Sequence, residues 1–255
     1  MTSWTRTDLG TRICFAVDRR GDRLLVLRAE RTRGRVIFSK LSPPDPAFEN
    51  GVNQGVPCAG YMSVRQSLTR RLESPLESRD KTERILPTLL DVQLPFPLEE
   101  CAYSFLSVTR EGGKTRALAV AARHEDVRRR IESLAELGAD PVALDHEGLA
   151  LWTQSLKELP PERGAEGMLR VVVCLEEGNS TLAAGRQGQF LGAHGIRPED
   201  PAQVRRILKA YSAKTGGERE APRGLSRNVS AEPSVALAKD GETIQWMWAG
   251  SGAGN

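Results

Sequence analysis

The sequence predicts an α/β protein with mixed sheets, built in two halves that share one plan. Three observations lead there. Strand-like segments come as hairpins, the alternating Arg12–Val17 with Arg23–Arg28 and again the continuously apolar Leu169–Leu175 with Thr181–Gly185, with Gly-containing turns beside them. Helix-period apolar stripes lie at Ile85–Leu94 and His124–Leu137, and again after Asp145 and Asp200. A loop of small residues, Gly250–Gly254, closes the chain.

The 255 residues suffice for two packed lobes that bury roughly 70–75% of the unfolded surface. At 39% hydrophobic and 27% charged residues, the composition is that of a globular domain rather than a disordered tail. Aromatic residues are sparse, so Leu, Val and Ala must fill the core. The net charge of +3 is spread along the chain. Its sharpest basic run, Arg128-Arg129-Arg130, falls on a predicted helix and reads as a solvated face. No RNP, zinc-finger or P-loop pattern supports nucleic-acid binding. Cys14, Cys58, Cys101 and Cys174 have apolar neighbours and form no CxxC pair, which predicts buried free thiols in a cytosolic protein. No apolar run approaches the length that crosses a bilayer, and no leader is expected at the N-terminus.

In order, Asp8-Leu9-Gly10-Thr11 is a turn leading into the first hairpin, and Arg35–Phe38 adds a third strand. Ser42-Pro43-Pro44-Asp45-Pro46 is a stiff connector. Glu49–Gly60 reads as loop with a short strand near Val56. Ser63–Leu72 reads as helix, because Val64, Leu68 and Leu72 are spaced by four. Ile85, Leu86, Leu89, Leu90 and Leu94 make one apolar stripe, although Pro87 must start or kink that helix. Pro95 and Pro97 then stop it and hold the preceding residues extended. Ala102–Val108 and Ala117–Ala122 form a hairpin closed by Arg110–Gly113. His124–Leu137 is a helix ended by Gly138. Pro141–Leu144 is a strand, and Asp145 caps a helix burying Leu149, Trp152 and Leu156. After a linker at Pro160–Gly167, Leu169–Leu175 is apolar enough to be buried on both faces. Strands at Thr181–Gly185 and Gln189–Gly192 follow. Asp200 starts a helix with Val204, Ile207, Leu208 and Tyr211 apolar. Gly216–Ser234 is a long polar loop, and Thr243–Trp248 is the last strand.

Two hairpin turns, Asp8–Thr11 and Cys174–Thr181, with a closing Gly loop describe the nucleotide site of the actin-like, ribonuclease H-like fold. There an aspartate holds water-bound Mg²⁺, and backbone N–H groups and a hydroxyl meet phosphate at a glycine. The stretch Ser63–Phe105, which contains ILPTLLDVQLPFPLEECAY, resembles the type IV pilus assembly protein PilM family and the related cytoplasmic domain of the type II secretion protein GspL. The resemblance continues through Arg123–Pro141 and Leu144–Trp152, and AGSGAGN is similar to the family's adenosine-contacting loop.

The resemblance implies a two-lobed actin-like fold. Lobe one would span 1–159, with an inserted subdomain at about 42–122, and a reduced lobe two would span 160–255, truncated at the C-terminus. It implies a cytoplasmic scaffold at the inner membrane, in a type IV pilus or type II secretion machine. The partners it implies are a bitopic, PilN-like membrane protein or an assembly ATPase, and a homo-oligomer stays open. The tail-binding surface would be Leu94, Pro95, Phe96, Pro97 and Leu98. The alternative is an ATP-binding protein or slow ATPase. It would use Asp8, Gly10 and Thr11 for Mg²⁺ and phosphate, and Gly250, Gly252 and Ala253 for adenosine. Against it, Cys174 and Glu176 stand where ATP-binding members carry the aspartate and glycine of the second turn. Mg-ATP is thus the one cofactor in view, no catalytic residue can be placed, and turnover is not expected.

Other clusters have bland readings. Asp145-His146-Glu147 is a helix start rather than a metal site. His124 and His194 lack partners at ligand spacing. Ser226, Ser230 and Ser234 lack the setting of a nucleophile. Glu99 and Glu100 are charges leading into a strand, and Trp246 and Trp248 pack on one strand face.

Overall fold

The computed structural model describes residues 12–20, 22–76, 79–111, 113–158, 168–175, 180–197, 199–213, 234–237 and 243–249. The chain divides into two compact units, 1–62 with 124–145 and 63–123 with 146–255.

The first unit is organised by a five-stranded sheet. Its antiparallel meander is β1 (Ile13–Arg20), β2 (Arg23–Thr32) and β3 (Arg35–Leu41), with Phe15 opposite Arg28 and Val26 opposite Leu41. Arg33 and Gly34 turn β2 into β3 with φ of 49° and 79°, the two left-handed residues of a type I′ turn. β1 then pairs in parallel with β4 (Cys58–Met62), and β8 (Pro141–His146) completes the order β3-β2-β1-β4-β8. Phe15, Val17, Leu24 and Val26 bury one face. Against them pack Phe48 of α1 (Pro46–Asn53) and Leu134 of α3 (His124–Ala135).

Helix α1 corrects the expected loop. Asp45 caps it, accepting from the Ala47 N–H at 2.8 Å, and Pro46 opens it. Phe48 then meets Phe15 edge-on, 5.1 Å between ring centres. The end of α3 is as expected: Gly138 has φ 79°, and the Ala139 N–H returns to the Leu134 carbonyl.

The second unit repeats the sheet plan. β9 (Leu169–Cys174), β10 (Ser180–Arg186) and β11 (Gln189–Ile196) form the meander, β9 pairs in parallel with β13 (Thr243–Ala249), and β12 (Ser234–Leu237) ends the order β11-β10-β9-β13-β12. β9 is buried on both faces, as its apolar run requires. Leu169, Val171 and Val173 meet α5 (Pro201–Ala213) through Val204, Leu208 and Tyr211. Val172 meets Trp152 of α4 (Glu147–Glu158). Helix α4 comes close because Gly148 has no side chain; a Cβ there would sit 2.1 Å from the Ala193 Cβ.

The second unit also holds a three-stranded sheet, β5-β7-β6, made of β5 (Ser67–Ser74), β7 (Lys114–Arg123) and β6 (Cys101–Glu111). The segment expected as helix at Ser63–Leu72 is mostly β5. Spacing of four fits both a helix and every second pair of strand positions, and pairing of Leu72 with Ala117 decides for strand. Helix α2 (Arg79–Asp91) runs through Pro87 and buries Leu86 and Leu90. Two buried leucines stabilise by about 1.5–3 kcal/mol each, enough to offset the roughly 3 kcal/mol of an interior proline.

Two glycines should respond differently to a methyl group. At Gly185 an added Cβ would lie 2.4 Å from the Gln189 carbonyl oxygen and from the Trp152 ring, neither free to move. At Gly60 it would meet the ends of Leu134 and Leu144, at 2.8 and 3.0 Å, which can turn aside. Urea unfolding should show Gly185→Ala losing about 2–3 kcal/mol and Gly60→Ala about 1 kcal/mol or less. Equal losses would contradict this packing account.

Candidate functional site

The proline corner follows α2 and is held from behind. Leu94 and Leu98 pack onto Leu86, Leu90 and Ala119. The Asp91 carboxylate accepts from the Leu98 N–H at 2.9 Å, and Arg70 Nε donates to the Gln93 carbonyl at 3.0 Å. The Arg123 guanidinium lies 4.6 Å from the centre of the Phe96 ring. Of the five residues expected to meet a partner, Pro95 and Pro97 are exposed, while Leu94, Phe96 and Leu98 are half-buried supports. Cys101 starts β6, and its thiol donates to the Pro97 carbonyl at 3.3 Å; burial pushes that thiol's pKa up.

Beyond the corner the exposed surface stays apolar. Val92 is 82% exposed, and Tyr103 and Val108 on β6 are about two-fifths exposed. Tyr103 and Phe105 stack edge-on with ring centres 5.8 Å apart. Phe105 packs on the α2 core, and a bulge between Phe105 and Ser107 brings Val108 onto the same face. Among the described residues β6 ends its sheet, so one side of its backbone is open to pairing. Glu99 and Glu100 stand exposed beside it. Sequence reading picked out the prolines; it missed Tyr103 and Val108, whose strand alternation is broken by the bulge.

Asp8, Gly10, Thr11, Gly250, Gly252 and Ala253, the residues expected to hold nucleotide, lie outside the described residues. The strands beside both turns are described. β1, the strand paired in parallel to β4, carries Asp18 near its end. Arg130 Nη2 bonds the Asp18 carboxylate at 2.9 Å, and both side chains are only 14% exposed. Arg130 Nε donates to the Tyr61 carbonyl at 3.0 Å, and its guanidinium lies over the Tyr61 ring. Arg130 is therefore an anchor and not part of a solvated basic face, which corrects the reading of the Arg128–Arg130 run.

At the second turn Cys174 ends β9, opposite Thr181 on β10. The Thr181 hydroxyl is buried and donates to Glu147 Oε1 at 2.7 Å; Glu147 Oε2 accepts from the Val64 N–H at 3.0 Å. A phosphate brought to Thr181 would face that carboxylate. Two like charges about 4 Å apart repel by on the order of 4 kcal/mol at an effective dielectric of 20, more than one hydroxyl hydrogen bond returns. Glu147 was not legible as part of this site: a glutamate opening a helix reads as a favourable dipole charge. The helix cap also differs from expectation. β8 runs through Asp145, and His146 Nδ1, not Asp145, accepts from the Leu149 N–H at 3.2 Å.

His194 is hydrogen-bonded to the Tyr211 hydroxyl at 2.9 Å, and burial pushes the Tyr211 pKa up. Among the described residues no group of three His, Cys, Asp or Glu is placed to hold a metal ion.

No protein-family model matches the chain, and comparison with curated proteins finds no match. Solved structures do match. The cytoplasmic domain of EpsL, an inner-membrane component of the type II secretion system of Vibrio cholerae, aligns over 94% of this chain and 90% of its own, at 16% identity and TM-score 0.52. A chain of the PilM-PilN type IV pilus biogenesis complex aligns over 80% of this chain and 72% of its own, at 16% identity and TM-score 0.51. A looser likeness, 8% identity and TM-score 0.40, is to a Bacteroides thetaiotaomicron protein with an actin-like ATPase fold. The chain shares the fold of the first two, the actin-like fold that its paired hairpins predict.

Removing the Glu147 carboxylate strands the Thr181 hydroxyl and the Val64 N–H. Glu147→Ala should lower unfolding stability by about 2–3 kcal/mol, and Glu147→Gln, which keeps one acceptor, by about 1 kcal/mol. Chemical denaturation of both variants checks this; a neutral Glu147→Ala would mean the carboxylate does not hold these segments.

Proposed function

We propose that the chain is a scaffold component of a type IV pilus or type II secretion machine. It binds the cytoplasmic tail of a bitopic inner-membrane protein and does not turn over ATP. The observation that carries this reading is the proline corner, rigid from behind and exposed in front, beside the open edge of β6. An extended tail adding to β6 would gain main-chain hydrogen bonds, with Tyr103, Val108, Pro95 and Pro97 as apolar contacts. Glu99 and Glu100 suit a basic tail, and cytoplasmic segments next to membrane helices carry an excess of Lys and Arg.

The fold supports the kind of machine: one neighbour is the cytoplasmic domain of an inner-membrane secretion component, and the other comes from a PilM-PilN complex. Held by such a tail, the chain would sit at the cytoplasmic face of the inner membrane. Among its described residues no helix is long and apolar enough to cross a membrane. The absence of turnover is supported by the Glu147 carboxylate on Thr181. An ATP-binding protein, with Mg²⁺ and phosphate at Asp8, Gly10 and Thr11 and adenosine at Gly250, Gly252 and Ala253, is the alternative.

Two titrations decide. Mg-ATP added to the protein in a calorimeter should give no saturable heat at millimolar concentration. Micromolar binding abolished by Asp8→Ala would replace this reading with the alternative. Peptides matching the N-terminal tails of membrane proteins from the same gene cluster should include one that binds saturably, and Tyr103→Glu should weaken it about tenfold or more. If no tail binds, or Tyr103→Glu leaves binding unchanged, the corner is not the partner surface.

A further inference from the structure

We propose that the first unit carries a docking groove for a basic amphipathic helix of a partner protein. The groove is a cavity of about 880 Å³ between α1, the end of α3 and the turn before β2, and every residue that lines it belongs to the first unit. Pockets that enclose a ligand measure roughly 300–1,000 Å³, so this one has room for several incoming side chains.

Its floor is apolar. Leu24 and Leu41 come from the sheet, Phe48 and Val52 from α1, and Leu137 from just beyond α3. All five pack in or against the core cluster around Phe15, yet Leu41, Val52 and Leu137 are only half-buried. Phe48 and Val52 stand one helical turn apart, the spacing at which an incoming helix repeats its own apolar anchors. Pro43 and Pro44 wall one side, and a wall with fixed φ angles has little freedom to lose on binding. The main chain of α1 is bonded within its own helix, so this wall offers side chains rather than a strand edge. A helix therefore fits here better than an extended chain.

Charge selects among helices. Asp22, Asp45 and Glu49 stand around the cavity against a single cation, Lys40. Asp45 gives one oxygen to the Ala47 N–H. Asp22 and Glu49 are exposed, and neither is in an ion pair among the described residues. The C-terminal end of α3 also borders the cavity, at Leu137 and Gly138, and no basic residue lies in its last turn. Its partial negative charge is there for an incoming cation. Lys or Arg beside the apolar anchors would meet these charges favourably, whereas an acidic helix would be repelled. Among the described residues each α-helix of this chain already has its apolar face packed in its own unit, so a different protein must supply the occupant. The groove does not rest on the reading of the proline corner, and it takes a helix where the corner takes an extended tail.

The test uses the full chain and a fluorescent helical peptide with leucines at every third and fourth position and lysines beside them, followed by anisotropy. Saturable binding that weakens with salt is expected. A scrambled peptide of the same composition, and a glutamate-for-lysine peptide, should each bind at least about tenfold more weakly. Reversing the two exposed carboxylates together, Asp22→Lys with Glu49→Lys, should weaken the lysine peptide about tenfold and strengthen the glutamate peptide, an exchange that damage to the fold would not produce. Val52→Trp, which fills the floor, should weaken the lysine peptide about tenfold. The proposal fails if no peptide binds, if the scrambled peptide binds equally, or if either the double variant or Val52→Trp binds as well as the parent. It also fails if light scattering shows a dimer that the double variant dissociates, since a second copy would then occupy the groove. Tyr103→Glu should leave the helical peptide unaffected; a loss there would put that peptide at the proline corner and overturn the proposal.

Discussion

The carboxylate of Glu147 joins three segments far apart in the chain. One oxygen holds the Thr181 hydroxyl on β10 and the other holds the Val64 N–H just before β5, while the residue itself opens α4. The turn after Val64 sets where β5 begins. β5 pairs with β7, and the corner packs on the helix that crosses them. Arg65 reinforces the joint by donating to the Ile196 carbonyl at 3.2 Å, above Gly195, where a side chain would strike it. The position of the proline corner relative to the second five-stranded sheet thus rests on one half-buried carboxylate and the contacts beside it. That carboxylate is also a charge a phosphate would have to displace, so the same bond stiffens the scaffold and disfavours nucleotide at this turn.

Both five-stranded sheets put a parallel partner beside an antiparallel meander, β4 beside β1 and β13 beside β9. In the second unit the central strand β9 is buried on both faces, because it has neighbours on both sides and helices against its faces. The outer strands inherit the opposite condition. Among the described residues β3 and β6 end their sheets and carry exposed apolar side chains, and their flanking charges differ in sign, arginines around β3 and glutamates before β6.

Helix α2 illustrates how packing overrides local preference. Pro87 removes a hydrogen bond in its interior, yet Leu86 and Leu90 on either side are almost completely buried. The helix ends at Asp91, whose side chain then caps the chain's return at Leu98. Two buried threonines, Thr82 and Thr115, both donate to the Leu76 carbonyl and fasten the opposite end of α2 to β7. The corner is therefore fixed at both ends of the helix that carries it, and its exposed residues have little freedom left to lose on binding.

What the sequence determined by itself is local. The alternation of β1 and β2, the strands and turns of the β9–β11 meander, the Gly138 stop, the Asp200 start of α5 and the proline corner all follow from residues within a turn or two of each other. So does the double burial of β9, because nothing polar but Arg170 interrupts it. Tertiary structure decided the rest. Leu68 and Leu72 satisfy helix and strand periods alike, and only β7 alongside made that segment a strand. Asp45-Pro46 is a helix start, but Phe48 needed Phe15, 33 positions earlier, to give the helix a face to bury. Arg130 looked solvated until Asp18 and the Tyr61 ring came to it across 112 and 69 residues. Glu147 had no visible purpose before Thr181 and Val64 arrived from opposite directions. Propensity and periodicity act between near neighbours in sequence, whereas a half-buried charge takes its meaning from whatever partner the fold delivers.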